Sequence, residues 1–190
     1  MSHNHLVESS HRPREAQIDW VSIALRRATS DDWQAYREIR LRALREAPDA
    51  YGSMLERELE FDEALWRSRS GDSYLLFAMV DGRVVASVAG IPDRHESGSR
   101  EVVGMWVDPE VRGRGAAASL LEALVAWAML EGAPAIALWV TDGNDVARRV
   151  YERGGFVATG QREQLRVGLE EQRMRRSLFD PARKGPLKAR

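Results

Sequence analysis

Cysteine is absent from the 190-residue chain, which excludes a disulfide framework, a thiolate metal site and a cysteine nucleophile. Net charge is nearly absent too, because 28 Lys+Arg stand against 29 Asp+Glu for a formal balance of −1. Binding a phosphate backbone needs a broad basic face that displaces counterions, so nucleic acid is not an expected partner. Long apolar runs are also missing. A membrane span takes about 18 to 20 apolar residues; the nearest stretch, Ala116 to Leu130, carries Ser119 and Glu122 and reads as a buried amphipathic helix. Met1 to Ser10 is polar where a secretory signal would be apolar. The cytoplasm is therefore the expected compartment, and no membrane partner is expected.

What is present is enough for one domain with its own core. Residues 1–20 lack a repeating apolar face and read as a tail, 21–180 as a single domain, and 181–190 as a second polar tail. His3, His5 and His11 lie in the first tail, which supplies no fixed ligand geometry, so no metal site is expected. Ile23 to Arg27 alternates loosely as a short strand. Thr29 to Asp32 supplies N-cap side chains for a helix from Trp33 that Pro48 stops. The face of that helix bearing Arg37, Arg40, Arg42 and Arg45 reads as solvated, with a binding surface as the alternative. Glu56 to Arg69 reads as a second helix, with Leu59, Leu65 and Trp66 available for packing.

Tyr74 to Val80 and Arg83 to Ile91 form a hairpin around Asp81-Gly82, and Glu101 to Val107 adds a third strand. The apolar spacing of Leu120, Leu121, Leu124, Val125 and Met129 gives a one-sided helix. Ala135 to Val140 is apolar throughout, as a strand covered on both faces would be. A helix from Asp142-Gly143-Asn144 through Tyr151 follows, then strands opening at Phe156 and over Glu171 to Phe179. The expected fold class is α+β, a mixed sheet with helices on both faces.

Chemistry concentrates in Val107-Asp108-Pro109-Glu110-Val111-Arg112-Gly113-Arg114-Gly115-Ala116-Ala117, where a strand runs into a helix. Glycines and alanines keep side chains away from the backbone, so amide N–H groups can converge on an anion at the positive end of the helix dipole. Arg112 and Arg114 are candidates to reinforce it with charge-assisted hydrogen bonds. A tight structural turn with exposed arginines is the alternative. Gly-Lys-Ser and Gly-Lys-Thr do not occur, which removes the nucleoside-triphosphate loop. Gly113 and Gly115 lack the regular alternation of parallel strand and helix that a dinucleotide fold needs.

Arg112, Gly115 and Ala117 together resemble the signature of the GNAT superfamily of acetyl-coenzyme A-dependent N-acetyltransferases: Arg or Gln, two residues, Gly, one residue, then Gly or Ala. A second block, Asn144, Ala147, Tyr151, Gly155 and Phe156, is similar to another family motif at matching spacing. The resemblance covers about Ile23 to Leu178, the extent of one complete domain. Ala116 departs from it, since relatives more often carry a larger aliphatic residue there.

The resemblance implies a GNAT-like, mostly antiparallel central sheet whose strands Glu101–Val107 and Ala135–Thr141 splay apart at their carboxyl ends. Met105, Trp106 and Val107 would pair with the pantetheine arm of acetyl-CoA, as an added strand satisfies an exposed edge. Pyrophosphate would rest on the amides of Arg112 to Ala117, namely Arg112, Gly113, Arg114, Gly115, Ala116 and Ala117. Asn144 would bond the cofactor or a nearby water. A neutral amine would attack the thioester. Glu101 is a candidate base directly or through water, the alternative being a solvent-facing strand-end carboxylate. Tyr151 would protonate the departing sulfur, the alternative being a core aromatic on a helix face, and an amide near Val107 would hold the oxyanion.

Tyr51 and Ser53 are candidates for the acceptor wall, with a structural turn as the alternative. Trp106 and Trp139 fall on opposite sides of the implied cleft. His95 with Ser97 supplies two members of a hydrolytic triad but no third. The expected acceptor is a primary amine of a small molecule or a protein. Relatives often dimerise, which leaves a homodimer open. The competing reading is an acyl-coenzyme A-binding sensor or partner module without turnover.

Overall fold

Strand β2 (Tyr74–Val80) sets the frame, because its successive side chains are buried on opposite faces of one sheet. Leu75 and Phe77 join Ile39 and Trp66 on one face; Leu76 and Ala78 join Leu120 and Leu124 on the other. The computed structural model describes residues 23–179; the two tails and the histidines His3, His5 and His11 lie outside them.

Seven strands form the sheet in the order β1-β2-β3-β4-β5-β7-β6. They are β1 (Ala24–Arg27), β2, β3 (Arg83–Pro92), β4 (Arg100–Val107), β5 (Ala135–Thr141), β6 (Val157–Arg166) and β7 (Leu169–Ser177). All neighbours run antiparallel except β4 and β5. The β2–β3 hairpin turns through Asp81 (φ 49°) and Gly82 (φ 76°), both left-handed, as a two-residue connection with the twist of the strands requires. Strand β7 inserts between β5 and β6, beginning and ending two residues before the stretch Glu171 to Phe179 expected for it. Its arginines are each taken by a partner: Arg173 is buried against Asp93, Arg175 pairs with Glu96, and Arg176 donates to the Gly154 carbonyl, so the strand carries its charge density without unpaired cations.

Helix α1 (Trp33–Glu46) and the short helices α2 (Leu55–Leu59) and α3 (Glu63–Gly71) cover one face over β1–β4. Helix α4 (Ala116–Leu130) covers the other, joined by Tyr151 from α5 (Asp145–Arg153). Thr29 and Asp32 close a reciprocal capping box just before α1. The single helix expected over Glu56 to Arg69 is instead two. Asp62 accepts from the Leu65 amide at 2.8 Å, starting α3 afresh. The break turns Trp66 fully inward while leaving Leu59 and Leu65 each 41% exposed.

Arg40 also departs from expectation. It leaves the solvated face of α1 and lies buried against Glu58, with Nε 3.1 Å and Nη2 2.9 Å from the two carboxylate oxygens. Burial pushes the Glu58 carboxyl up, but the hydrogen bonds and charge of Arg40 outweigh it and hold the group below its ordinary range.

Candidate active site

Pairing between β4 and β5 covers only Arg100–Val102 opposite Ile136–Leu138. Beyond Val102 the parallel strands part, as expected from the resemblance. The local cause is a bulge. Ser87 faces Trp106 but Ala89 faces Val103, so Gly104 and Met105 together oppose Val88. Gly104 adopts φ +65°, where a side chain would be strained, and so lets β4 bend. An isolated glycine inside an apolar strand was the available signal for this bulge.

Side chains take the place of a neighbour along the parted edge. The Tyr51 hydroxyl donates to the Met105 carbonyl at 3.1 Å, and Arg112 Nε donates to the Val107 carbonyl at 3.0 Å. Trp106 is different. The Asp108 amide bonds Val85, and Trp106, two residues earlier, faces Ser87, so alternation turns its backbone toward β3. Its indole is buried and donates to Glu46 at 3.0 Å. Of the three residues expected to offer an edge, Met105 and Val107 turn their backbone away from β3, with their carbonyls taken by Tyr51 and Arg112, while Trp106 turns toward β3.

At the glycine-rich corner, Gly113 (φ 78°) and Gly115 (φ 88°) hold left-handed conformations with open space where a Cβ would stand. Backbone geometry, not crowding, therefore requires glycine here. Ser119 makes the first helical bond, to the Gly115 carbonyl. Among the described residues, the amides of Gly113, Arg114, Gly115, Ala116, Ala117 and Ala118 have no hydrogen-bond acceptor. The Arg112 amide differs, since it bonds Pro109 at 3.4 Å. Its guanidinium turns back to Glu46 at 2.7 Å rather than reinforcing the corner, leaving Arg114 as the arginine without an ion-pair partner there. Ala116 is buried against the core.

Tyr151 projects from α5 into the core it shares with α4, its ring 6.3 Å from that of Phe156. Burial alone pushes its phenol up to about 12, and its hydroxyl has no hydrogen-bond partner among the described residues. Asn144 caps α5, its side-chain oxygen accepting from the Ala147 amide at 3.1 Å. Burial raises the Tyr51 phenol well above its ordinary value, against the pull of the Arg40 charge. Ser53 lies beside the Glu58 carboxyl and adds to the groups that hold it below its ordinary range.

Glu101 is not the solvent-facing strand end of the alternative reading. It is 7% exposed and makes no hydrogen bond or ion pair among the described residues. Burial pushes its carboxyl above the ordinary range, and the charge of Arg94 only partly opposes this. His95 accepts from Arg94 and packs 5.3 Å from the Trp139 ring, with no bond to Ser97, so the two do not form a triad. No group of three metal-ligating side chains occurs among the described residues. A cavity of about 530 Å³ between α1 and α3, lined by Trp33, Arg37, Phe61 and Trp66, takes no residue from β4 or β5.

Parted parallel strands beside a helix start rich in unpaired amides define a protein that can hold an extended ligand with an anionic end. Residues 33–156 match the model of the acetyltransferase (GNAT) family. The chain belongs to that family and is an acetyltransferase. Its fold is shared by yncA from Salmonella typhimurium, solved with its cofactor acetyl-CoA, at TM-score 0.72 and 20% identity over 88% of this chain and 99% of that one. A GNAT acetyltransferase from Streptococcus pneumoniae matches at TM-score 0.72 and 17% identity, covering 82% and 99%. A GCN5-related N-acetyltransferase from Kribbella flavida matches at TM-score 0.63 and 26% identity, covering 82% and 97%.

Proposed function

We propose that the protein moves an acetyl group from acetyl-coenzyme A to a primary amine by direct attack. The observation that carries this reading is the run of amides from Gly113 to Ala118 without acceptors, set beside the unpaired half of β4. These amides and the helix dipole suit a pyrophosphate. The Met105 and Val107 edge suits an amide-bearing arm lying in the parted strands. Acetyl-coenzyme A supplies an activated thioester carbonyl.

The residues then divide the proton work. An alkylamine is mostly protonated at neutral pH, with a pKa near ~10.4, so it must lose a proton to become nucleophilic. Glu101 accepts that proton directly or through water; its raised pKa brings it closer to the working pH than an ordinary carboxylate. The amine nitrogen bonds to the carbonyl carbon, and an amide near Val107 holds the oxyanion. The carbon–sulfur bond then breaks. Tyr151, kept neutral by burial, holds a hydrogen bond on the departing sulfur and gives up its proton as charge builds there. The nitrogen sheds its second proton through water, which restores the Tyr151 phenol, so the products are the amide and coenzyme A thiol, with the single net proton leaving by way of Glu101.

Purified full-length protein mixed with acetyl-coenzyme A and a panel of primary amines should release free thiol in proportion to acetylated amine. Tight binding of acetyl-coenzyme A with no thiol release across small-molecule and peptide amines would replace transfer by a sensing role.

A further inference from the structure

Glu101 shares its sheet face with Ala137, Trp139 and Thr141 of β5 and with Glu171, Arg173 and Arg175 of β7, by the registers that join β4, β5 and β7. On this face the basic side chains are already committed. Arg173 bonds Asp93, Arg175 bonds Glu96 at 2.8 Å, and Arg94 bonds Glu163 at 3.1 Å. Two carboxylates are left over among the described residues. Glu101 is buried and Glu171 partly buried, and neither has a hydrogen-bond or ion-pair partner. Between them lies Trp139, with the Arg173 guanidinium 5.9 Å and the His95 ring 5.3 Å from its ring.

Resting on the acetyl-transfer reading, we propose that the acceptor carries a second ammonium group, which Glu171 holds beside the Trp139 ring while the reacting amine meets Glu101. A cation is what two carboxylates without a bonded partner recognise together. Burial raises the Glu171 carboxyl above its ordinary range, and the charges of Glu163 and Glu101 add to this against the pull of Arg94. A bound ammonium relieves that repulsion. Glu171 pairs with Thr141 and Glu101 with Ala137, so the two glutamates are offset by four residues and two strands. That offset is about 13 Å along the strands and about 10 Å across them. Two glutamate side chains and a short alkyl diamine span it.

The test uses the full chain with acetyl-coenzyme A and three probes of similar length: 1,4-diaminobutane, butylamine and 4-aminobutanoate. Thiol release should give a KM for the diamine at least about tenfold below that for butylamine, the step expected from one added charge-assisted bond. Glu171→Gln should raise the diamine KM to the monoamine level, and Glu171→Asp should keep part of the preference. Calorimetry of 1,4-diaminobutane into protein saturated with coenzyme A reads the same site without turnover. Equal KM values for diamine and monoamine, or preference for 4-aminobutanoate, overturn the subsite while leaving transfer in place. Binding of the diamine that depends on Glu171 but yields no thiol leaves the subsite in place and overturns transfer.

Discussion

Two buried glutamates on the same side of the sheet behave in opposite ways. Glu58, under α1, is fully enclosed and held in its charged form by Arg40. Glu101, where β4 begins to leave β5, is almost as buried but has no partner, and burial pushes its carboxyl up. The same contrast runs through the backbone: strands β1 to β4 pair with one another except at two bulges, whereas β4 beyond Val102 has no strand on its β5 side and the Gly113–Ala118 corner leaves donors unmatched. Buried polar groups are normally satisfied. Groups left open together in one place therefore point to a ligand that completes them, while the paired ones serve the fold.

The largest effect should come from breaking the paired side. Arg40→Met leaves Glu58 charged and enclosed, with Arg69 at 3.5 Å as a partial substitute. Removing one member of a buried ion pair typically costs about 3–5 kcal/mol; the lower end is expected in urea unfolding, and Arg40→Met with Glu58→Leu should recover much of it. On the open side, Tyr151→Phe should lower kcat by about a hundredfold with little change in acetyl-coenzyme A affinity, as loss of a positioned proton donor does. An unchanged kcat would remove Tyr151 from that role.

Glu101→Gln tests the contrast through pH. Between the ordinary carboxylate range and the raised pKa, folded protein binds more protons at Glu101 than unfolded protein, so stability falls as pH rises through that window. Glu101→Gln should abolish that slope and stabilise the fold at neutral pH, while removing the rise of kcat/KM across the same window. Glu58 has the opposite sign. Its lowered pKa makes stability rise with pH from the lowered value to the ordinary one, and Glu58→Gln should remove that rise. The smallest effect belongs to the exposed Arg166–Asp49 pair. Arg166→Ala should change stability by less than about 1 kcal/mol.

Periodic segments were legible in the sequence wherever a single rule governed them. β2 needed only its β-forming residues and the Asp81-Gly82 turn, and α4 only its apolar spacing. The Gly113–Ala117 corner was legible because glycine spacing and a helix start coincide in a few residues. What escaped depends on tertiary partners. Arg40 reads as a surface arginine until Glu58, eighteen residues away, is folded against it. That Arg112 pairs with Glu46 and bonds the Val107 carbonyl, rather than pointing at the corner, depends on Glu46, sixty-six residues away. The backbone direction of Trp106 depends on the bulge at Gly104, which shifts the register by one residue.

The most direct test is calorimetric titration of acetyl-coenzyme A into the full-length protein, alone and as Gly115→Ala. Binding to one site per chain is expected, weakened by about tenfold in the variant, because a left-handed residue with a Cβ costs roughly 1–2 kcal/mol. No heat from well-folded wild-type protein, or an affinity indifferent to Gly115, would contradict an anion-binding corner built from main-chain amides.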